Sequence, residues 1–143
     1  MWLTHESKRQ KTLFLIRGLA GSGKTTLASA LATIAPAKHG KVWTVSADDY
    51  FIDKNGFYNF VPNKLRLAHN YCQNETERLM KHGVENIVVH NTFSRFWEMG
   101  FYQKVAASHG YSVFMIECQN EYGSVHDVPE DTVERMRERF ERA

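Results

Sequence analysis

An α/β fold is what this sequence predicts: a three-layer sandwich whose central parallel sheet of about four strands carries helices on both faces. Three observations lead there. Short apolar runs of strand length alternate four times with longer segments of helical periodicity. The clearest runs, at 13–16 and 87–89, are continuously apolar, as strands buried on both faces must be. Each run empties into glycines, acids or amides, and the carboxyl ends of strands are where such sheets collect ligands.

Leu13, Phe14, Leu15 and Ile16 form the first strand, and Thr26-Leu27-Ala28-Ser29-Ala30-Leu31-Ala32 continues as a helix. Lys38-His39-Gly40 marks a break, and Val42-Trp43-Thr44-Val45-Ser46 is the second strand, ending at Ala47-Asp48-Asp49-Tyr50-Phe51. Residues 52–62 hold an Asn55-Gly56 turn and a Pro62 stop, which predicts a loop or small hairpin. Leu65, Ala68, Cys72, Thr76 and Leu79 recur at helical spacing from about Asn63 to His82, with Gly83 as the C′ residue. Ile87-Val88-Val89 is the third strand and exits into His90-Asn91-Thr92-Phe93. Ser94 caps a third helix running to about Ser108 and closed by Gly110, and 112–116 is the fourth strand. Pro129, followed by Glu130 and Asp131, opens a last helix whose Val133, Met136 and Phe140 form the buried stripe.

The chain's 143 residues, 43% hydrophobic and 13% aromatic, suit one domain over 1–143, with 1–10 as a polar lead-in. A net charge of +2 gives no bulk electrostatic argument for nucleic acid. Two isolated cysteines, Cys72 and Cys118, fit a reducing compartment and no structural zinc. No signal peptide and no membrane-spanning stretch is apparent, so a cytoplasmic protein without a membrane partner is expected.

The chemistry starts at Gly18-x-x-x-x-Gly23-Lys24-Thr25, a P-loop between strand and helix. Gly18, Gly21 and Gly23 let the backbone turn its N–H groups onto the phosphates of a nucleotide, and Ala20, Ser22 and Thr26 complete the cradle. Lys24 supplies a mobile positive charge, Thr25 a hydroxyl for Mg²⁺, and the helix start its positive dipole end. Transfer of the γ-phosphoryl group to a hydroxyl also needs a carboxylate to take the acceptor's proton. Asp48, at the end of the second strand, is the candidate; Asp49 is a candidate for Mg²⁺-bound water or for capping the following turn. The rings of Tyr50, Phe51, Phe57, Tyr58 and Phe60 crowd the segment where an acceptor would lie, most of them read as core and one or two as stacking surfaces. His90 and His126 are further residues that can face the phosphates.

The GLAGSGKTT loop, the Asp48-Asp49-Tyr50-Phe51 box, Asn91-Thr92 followed by Trp97-Glu98-Met99, and the terminal Val125-His126, Val128-Pro129 and Glu134-Arg135-Met136 pieces resemble P-loop kinases of the 5′-polynucleotide kinase type. That group includes phage enzymes and small kinases labelled AAA-family ATPases, and the resemblance runs from about Lys11 to Arg142. It implies a P-loop NTPase fold, ATP and Mg²⁺ as cofactors, Asp48 as base, and a nucleic-acid 5′-hydroxyl or a nucleotide as acceptor. Asp48, Phe51, Asn91 and Thr92 are then the candidate substrate contacts, and Lys24 and Thr25 take the group's P-loop roles.

Departures from that pattern predict where activity is vulnerable. Ala47 and Phe51 stand where the group carries arginines around the box, and no acid ends the third strand. The shortened lid, Glu117 to Val128, has neither Arg nor Lys, which would forfeit a stabilisation of roughly 10³-fold where an arginine finger operates. Arg95 is the first candidate to substitute, followed by Lys54, Lys64 and Arg66, and an arginine from a second subunit is another route. The alternative to a kinase is therefore a nucleotide-binding module or weak ATPase that works through a partner.

Overall fold

The computed structural model describes residues 10–34, 42–120 and 129–143. Four parallel strands, β1 (Lys11–Arg17), β2 (Val42–Val45), β3 (Asn86–Asn91) and β4 (Tyr111–Glu117), form one sheet in the order β2-β3-β1-β4. The chain leaves β1 toward one edge and later leaves β3 toward the other, so the switch point falls between the carboxyl ends of β1 and β3. Helices α1 (Lys24–Ile34), α2 (Leu65–Lys81), α3 (Gly100–Ser108) and α4 (Glu130–Arg139) alternate with the strands.

Period-two alternation sorts the two faces. Leu13 and Leu15 of β1 join Ile87 and Val89 of β3 in the larger core under α2 and α3, which supply Ala68, Cys72, Leu79, Tyr102 and Ala106. Ile16 and Val88 point the other way, onto Ala28 of α1, with Phe14, Leu27 and Leu31 packed beside them. These are the three layers expected from continuously apolar central strands. Burying Leu13, Leu15, Ile16, Ile87, Val88 and Val89 contributes roughly 1.5–3 kcal/mol each.

The predicted second helix begins as a 3₁₀ turn at Pro62–Lys64 and ends as expected at Gly83, whose φ is +73°. The third differs more. A separate 3₁₀ turn, Phe96–Met99, precedes α3, because the Glu98 carboxylate accepts from the Arg95 N–H (2.8 Å) and caps that turn. Residues 52–58 form the small hairpin: Ile52 bridges Tyr58, Asp53 Oδ1 accepts from Asn55 and Phe57 N–H groups, and Gly56 takes φ +84°. The polar lead-in before residue 10, the break at 38–40 and the lid residues 121–128, including His126, lie outside the described residues. No described helix is long and apolar enough to cross a membrane.

Candidate functional site

The loop between β1 and α1 has the geometry of a phosphate cradle. Gly21 and Gly23 adopt φ of +79° and +96°, conformations that favour glycine. Gly18 donates to the Thr92 carbonyl (3.2 Å), tying the loop to the end of β3. A Cβ on Gly18 would lie 2.4 Å from Ser22 Oγ and 3.0 Å from the Cys118 carbonyl, so the residue that follows β4 closes the loop from the other side. Ser22 Oγ is buried without a hydrogen-bond partner among the described residues, an unsatisfied group costing about 1–3 kcal/mol that a bound oxyanion would relieve. Lys24 Nζ donates to the Leu19 carbonyl (2.9 Å), folded against the loop. Burial lowers its pKa, while Asp48 and then Cys118 act in the opposite sense.

Asp48 reaches this site by a chain of local bonds. Ser46 N-caps the 3₁₀ turn Ala47–Phe51: its hydroxyl accepts from the Asp48 N–H (3.1 Å), and its own N–H donates to the Asp49 carboxylate (3.0 Å). Asn91 Oδ1 accepts from the Ala47 N–H (2.8 Å), fastening the turn to the end of β3. Asp48 is left exposed, with the Tyr58 hydroxyl donating to its Oδ1 (3.2 Å). Burial first, then Asp48, pushes the Tyr58 phenol up to about 12, so it remains a donor at neutral pH. His90, one residue before Asn91, sits within the field of both Lys24 and Asp48, and burial followed by Lys24 lowers its pKa. At neutral pH it is therefore largely uncharged.

A family model described as an AAA domain matches residues 13–121. The chain belongs to that family. NEDD4-binding protein 2 of Homo sapiens is 32% identical over 139 residues, or 91% of this chain, which spans only 8% of the human protein's length. Among solved structures, Chaetomium thermophilum Kti12 in complex with ADP-AlF3 aligns with a TM-score of 0.65 at 14% identity, covering 91% of this chain and 80% of that one. The Mycobacterium tuberculosis APS kinase CysC in complex with AMPPNP and APS gives 0.52 at 19% identity over 90% and 69%. The Pnkp1/Rnl/Hen1 RNA repair complex gives 0.57 at 16% identity over 93% and 38%. The architecture is an α/β P-loop NTPase-like fold.

Within this AAA domain, several predicted site residues occupy other positions than expected. Phe51, expected at the substrate, is 5% exposed and belongs to the larger core, with the exposed rings of Tyr58 and Phe60 edge-to-face against it. Asn91, also expected there, is 6% exposed and spends its amide on Ala47, Ser46 and Cys72 Sγ (3.5 Å). Thr92 is half-buried and holds Gly18 through its carbonyl. Of the two roles read for Asp49, the capping one is realised, and burial chiefly raises its pKa. The Arg95 guanidinium pairs with Glu141 (3.8 Å), a residue after α4, and its N–H serves the Glu98 cap.

The AAA domain also contains a residue that periodicity concealed. Arg17, the last residue of β1, reads as a polar end to an apolar run, yet it is fully buried. Its guanidinium pairs with Glu117, its parallel partner on β4, and donates to the Phe93 carbonyl from Nε (3.0 Å) and Nη2 (2.7 Å). Nη2 also reaches the Ser94 carbonyl (3.3 Å). Phe96 and Phe140 cover the guanidinium with ring centroids 4.5 and 4.2 Å away. Phe93 takes φ +47°, a conformation unusual for an aromatic residue, and the two bonds to its carbonyl help to hold it. One buried cation thus joins the ends of β1, β3 and β4 directly under the P-loop. The only sequence signal was an arginine immediately before Gly18.

Proposed function

We propose that this protein is an ATP- and Mg²⁺-dependent phosphotransferase that passes the γ-phosphoryl group to a hydroxyl, the acceptor being a nucleic-acid 5′-end or a nucleotide. The observation that carries this reading is the exposed Asp48 carboxylate on a turn that Asn91 fastens to the end of β3, the same strand end to which Gly18 of the P-loop is tied through Thr92. The loop fits a triphosphate: Ser22 Oγ lacks a partner among the described residues, Gly21 and Gly23 adopt left-handed conformations, and Lys24 and Thr25 open α1. Mg²⁺, when bound, offsets charge on the β- and γ-phosphate oxygens. Thr25, directly after Lys24 at the start of α1, would hold the ion through its Oγ1 together with phosphate oxygens and water.

Asp48 accepts the proton of the acceptor hydroxyl as the new O–P bond forms and the bond to the β-phosphate oxygen breaks. Tyr58 holds the Asp48 carboxylate in place, and Lys24 exchanges the Leu19 carbonyl for phosphate oxygen.

A second reading is favoured by one observation. Arg95 is engaged with Glu141, and Glu117 to Val128 contains no Arg or Lys, which supports a nucleotide-binding module with slow turnover. Incubation of γ-labelled ATP with 5′-hydroxyl oligonucleotides and a nucleoside and nucleotide panel separates the two. Acceptor-dependent transfer, lowered at least 10²-fold in Asp48→Ala, is expected for the kinase. Tight ATP binding without transfer to any acceptor leaves the module.

A further inference from the structure

We propose that Tyr50, Phe57, Tyr58 and Phe60 form a platform on which bases of a single-stranded nucleic acid stack, leading its 5′-end to Asp48. This rests on the phosphotransferase reading and selects a polymer over a mononucleotide as acceptor.

The four rings are 38%, 67%, 37% and 49% exposed, on a segment of eleven residues. Scattered exposed rings need no explanation, but Tyr50, Tyr58 and Phe60 gathered around Phe51 beside a candidate catalytic group do, and Phe57 adjoins Tyr58 in the chain. Buried Phe51 is their pedestal, meeting Tyr50, Tyr58 and Phe60 with centroids 5.4, 6.2 and 5.1 Å away and planes inclined by 87°, 80° and 70°. Tyr71 of α2, 38% exposed, extends the surface from Tyr50 (6.0 Å). The backbone fixes this arrangement. Asn59 N–H donates to the Phe51 carbonyl (2.9 Å), and Asp53 accepts from the Phe57 N–H (3.0 Å). These bonds set the backbone that presents the rings, and Tyr50, Tyr58 and Phe60 also rest against Phe51, which reduces the side-chain entropy to be lost on binding.

Charge selects the occupant. Lys54, Lys64 and Arg66 are exposed on the same stretch and make no ion pair among the described residues, while Asp53 is taken up by the turn. Rings interleaved with uncommitted cations are the complement of bases on a phosphate backbone. The platform is continuous with the site, since Tyr58 belongs to it and donates to Asp48. One base would cover one or two rings, whereas the rings from Phe60 and Tyr58 through Tyr50 to Tyr71 suit several successive nucleotides.

Fluorescence anisotropy with a 3′-labelled, 5′-hydroxyl single-stranded oligonucleotide tests this, against an abasic oligonucleotide of equal charge and a duplex of equal length. The wild type should bind the single strand at least fivefold more tightly than the abasic strand. Phe57→Ala should weaken binding by about 5- to 100-fold, and Phe57→Ala/Phe60→Ala by more. Lys64→Ala/Arg66→Ala should weaken it and flatten its salt dependence. Circular dichroism melting checks the fold of each variant; exposed Phe57 alone keeps the test valid if Phe60→Ala disrupts the pedestal. Equal affinity for natural and abasic strands overturns the proposal, as do ring variants that bind like wild type. Loss of self-association or of protein binding alone, with no oligonucleotide effect, also overturns it. Phosphoryl transfer to oligonucleotides unaffected by the ring substitutions refutes the platform and leaves the kinase. Ring-dependent binding without transfer refutes the kinase and leaves the platform.

Discussion

Arg17→Met is the perturbation whose size the structure fixes best. Methionine fills most of the side-chain volume, so little of its effect comes from a cavity. What is lost is the charge: Glu117 is left with a side chain only 5% exposed and no ion-pair partner, and the Phe93 carbonyl loses both bonds from Arg17. Removing one partner of a buried pair costs about 3–5 kcal/mol. The contacts with Phe96 and Phe140, worth about 0.5–2 kcal/mol each, are not added, because they belong to the same ion. Against a typical total stability of roughly 5–15 kcal/mol this is a large fraction. With a urea slope of about 2 kcal/mol/M, the unfolding midpoint should fall by about 1.5–2.5 M. Arg17→Met/Glu117→Leu should recover much of the loss, since the carboxylate left with only the Gln119 amide and the Ala143 N–H as donors is gone. A midpoint within about 0.5 M of wild type for Arg17→Met, or a double variant no more stable than the single one, would refute the buried-cation argument.

Asn91→Ala frees the Ala47 N–H inside the protein and should cost about 1–3 kcal/mol by chemical denaturation, while lowering phosphoryl transfer through a misplaced Asp48; unchanged stability would sink the positioning role. Tyr58→Phe removes the bond to Asp48 and should lower kcat about 3- to 10-fold at constant ATP KM, an exposed carboxylate losing less than a buried one. His90 has a folded pKa below its unfolded value, so the unfolded chain binds the extra proton first. Stability should therefore fall as pH drops below about 6.5, until the folded pKa is passed, and His90→Gln should flatten that part of a pH series of urea midpoints.

The strands, the P-loop and the hairpin were legible because each rests on local chemistry. Continuous apolar runs, glycines at left-handed positions and the Asn55-Gly56 turn act within a few residues of themselves. Roles at the site were less legible. Phe51 and Tyr58 are both aromatic and seven positions apart, yet one is a pedestal and the other touches Asp48. Asn91 and Arg95 are polar residues near the same strand end, but one is fastened to the Asp48 turn and the other to the segment after α4.

The sequence by itself determined a parallel α/β chain with a phosphate-binding loop and a carboxylate after the second strand. Local propensity and periodicity carry that information. Only the tertiary structure decided that Arg17 and Glu117 are partners, one hundred residues apart in sequence but adjacent in the register of β1 and β4. It likewise decided which rings face solvent beside Asp48. Strand order and side-chain burial are settled by how the whole chain packs, and no window of neighbouring residues contains them.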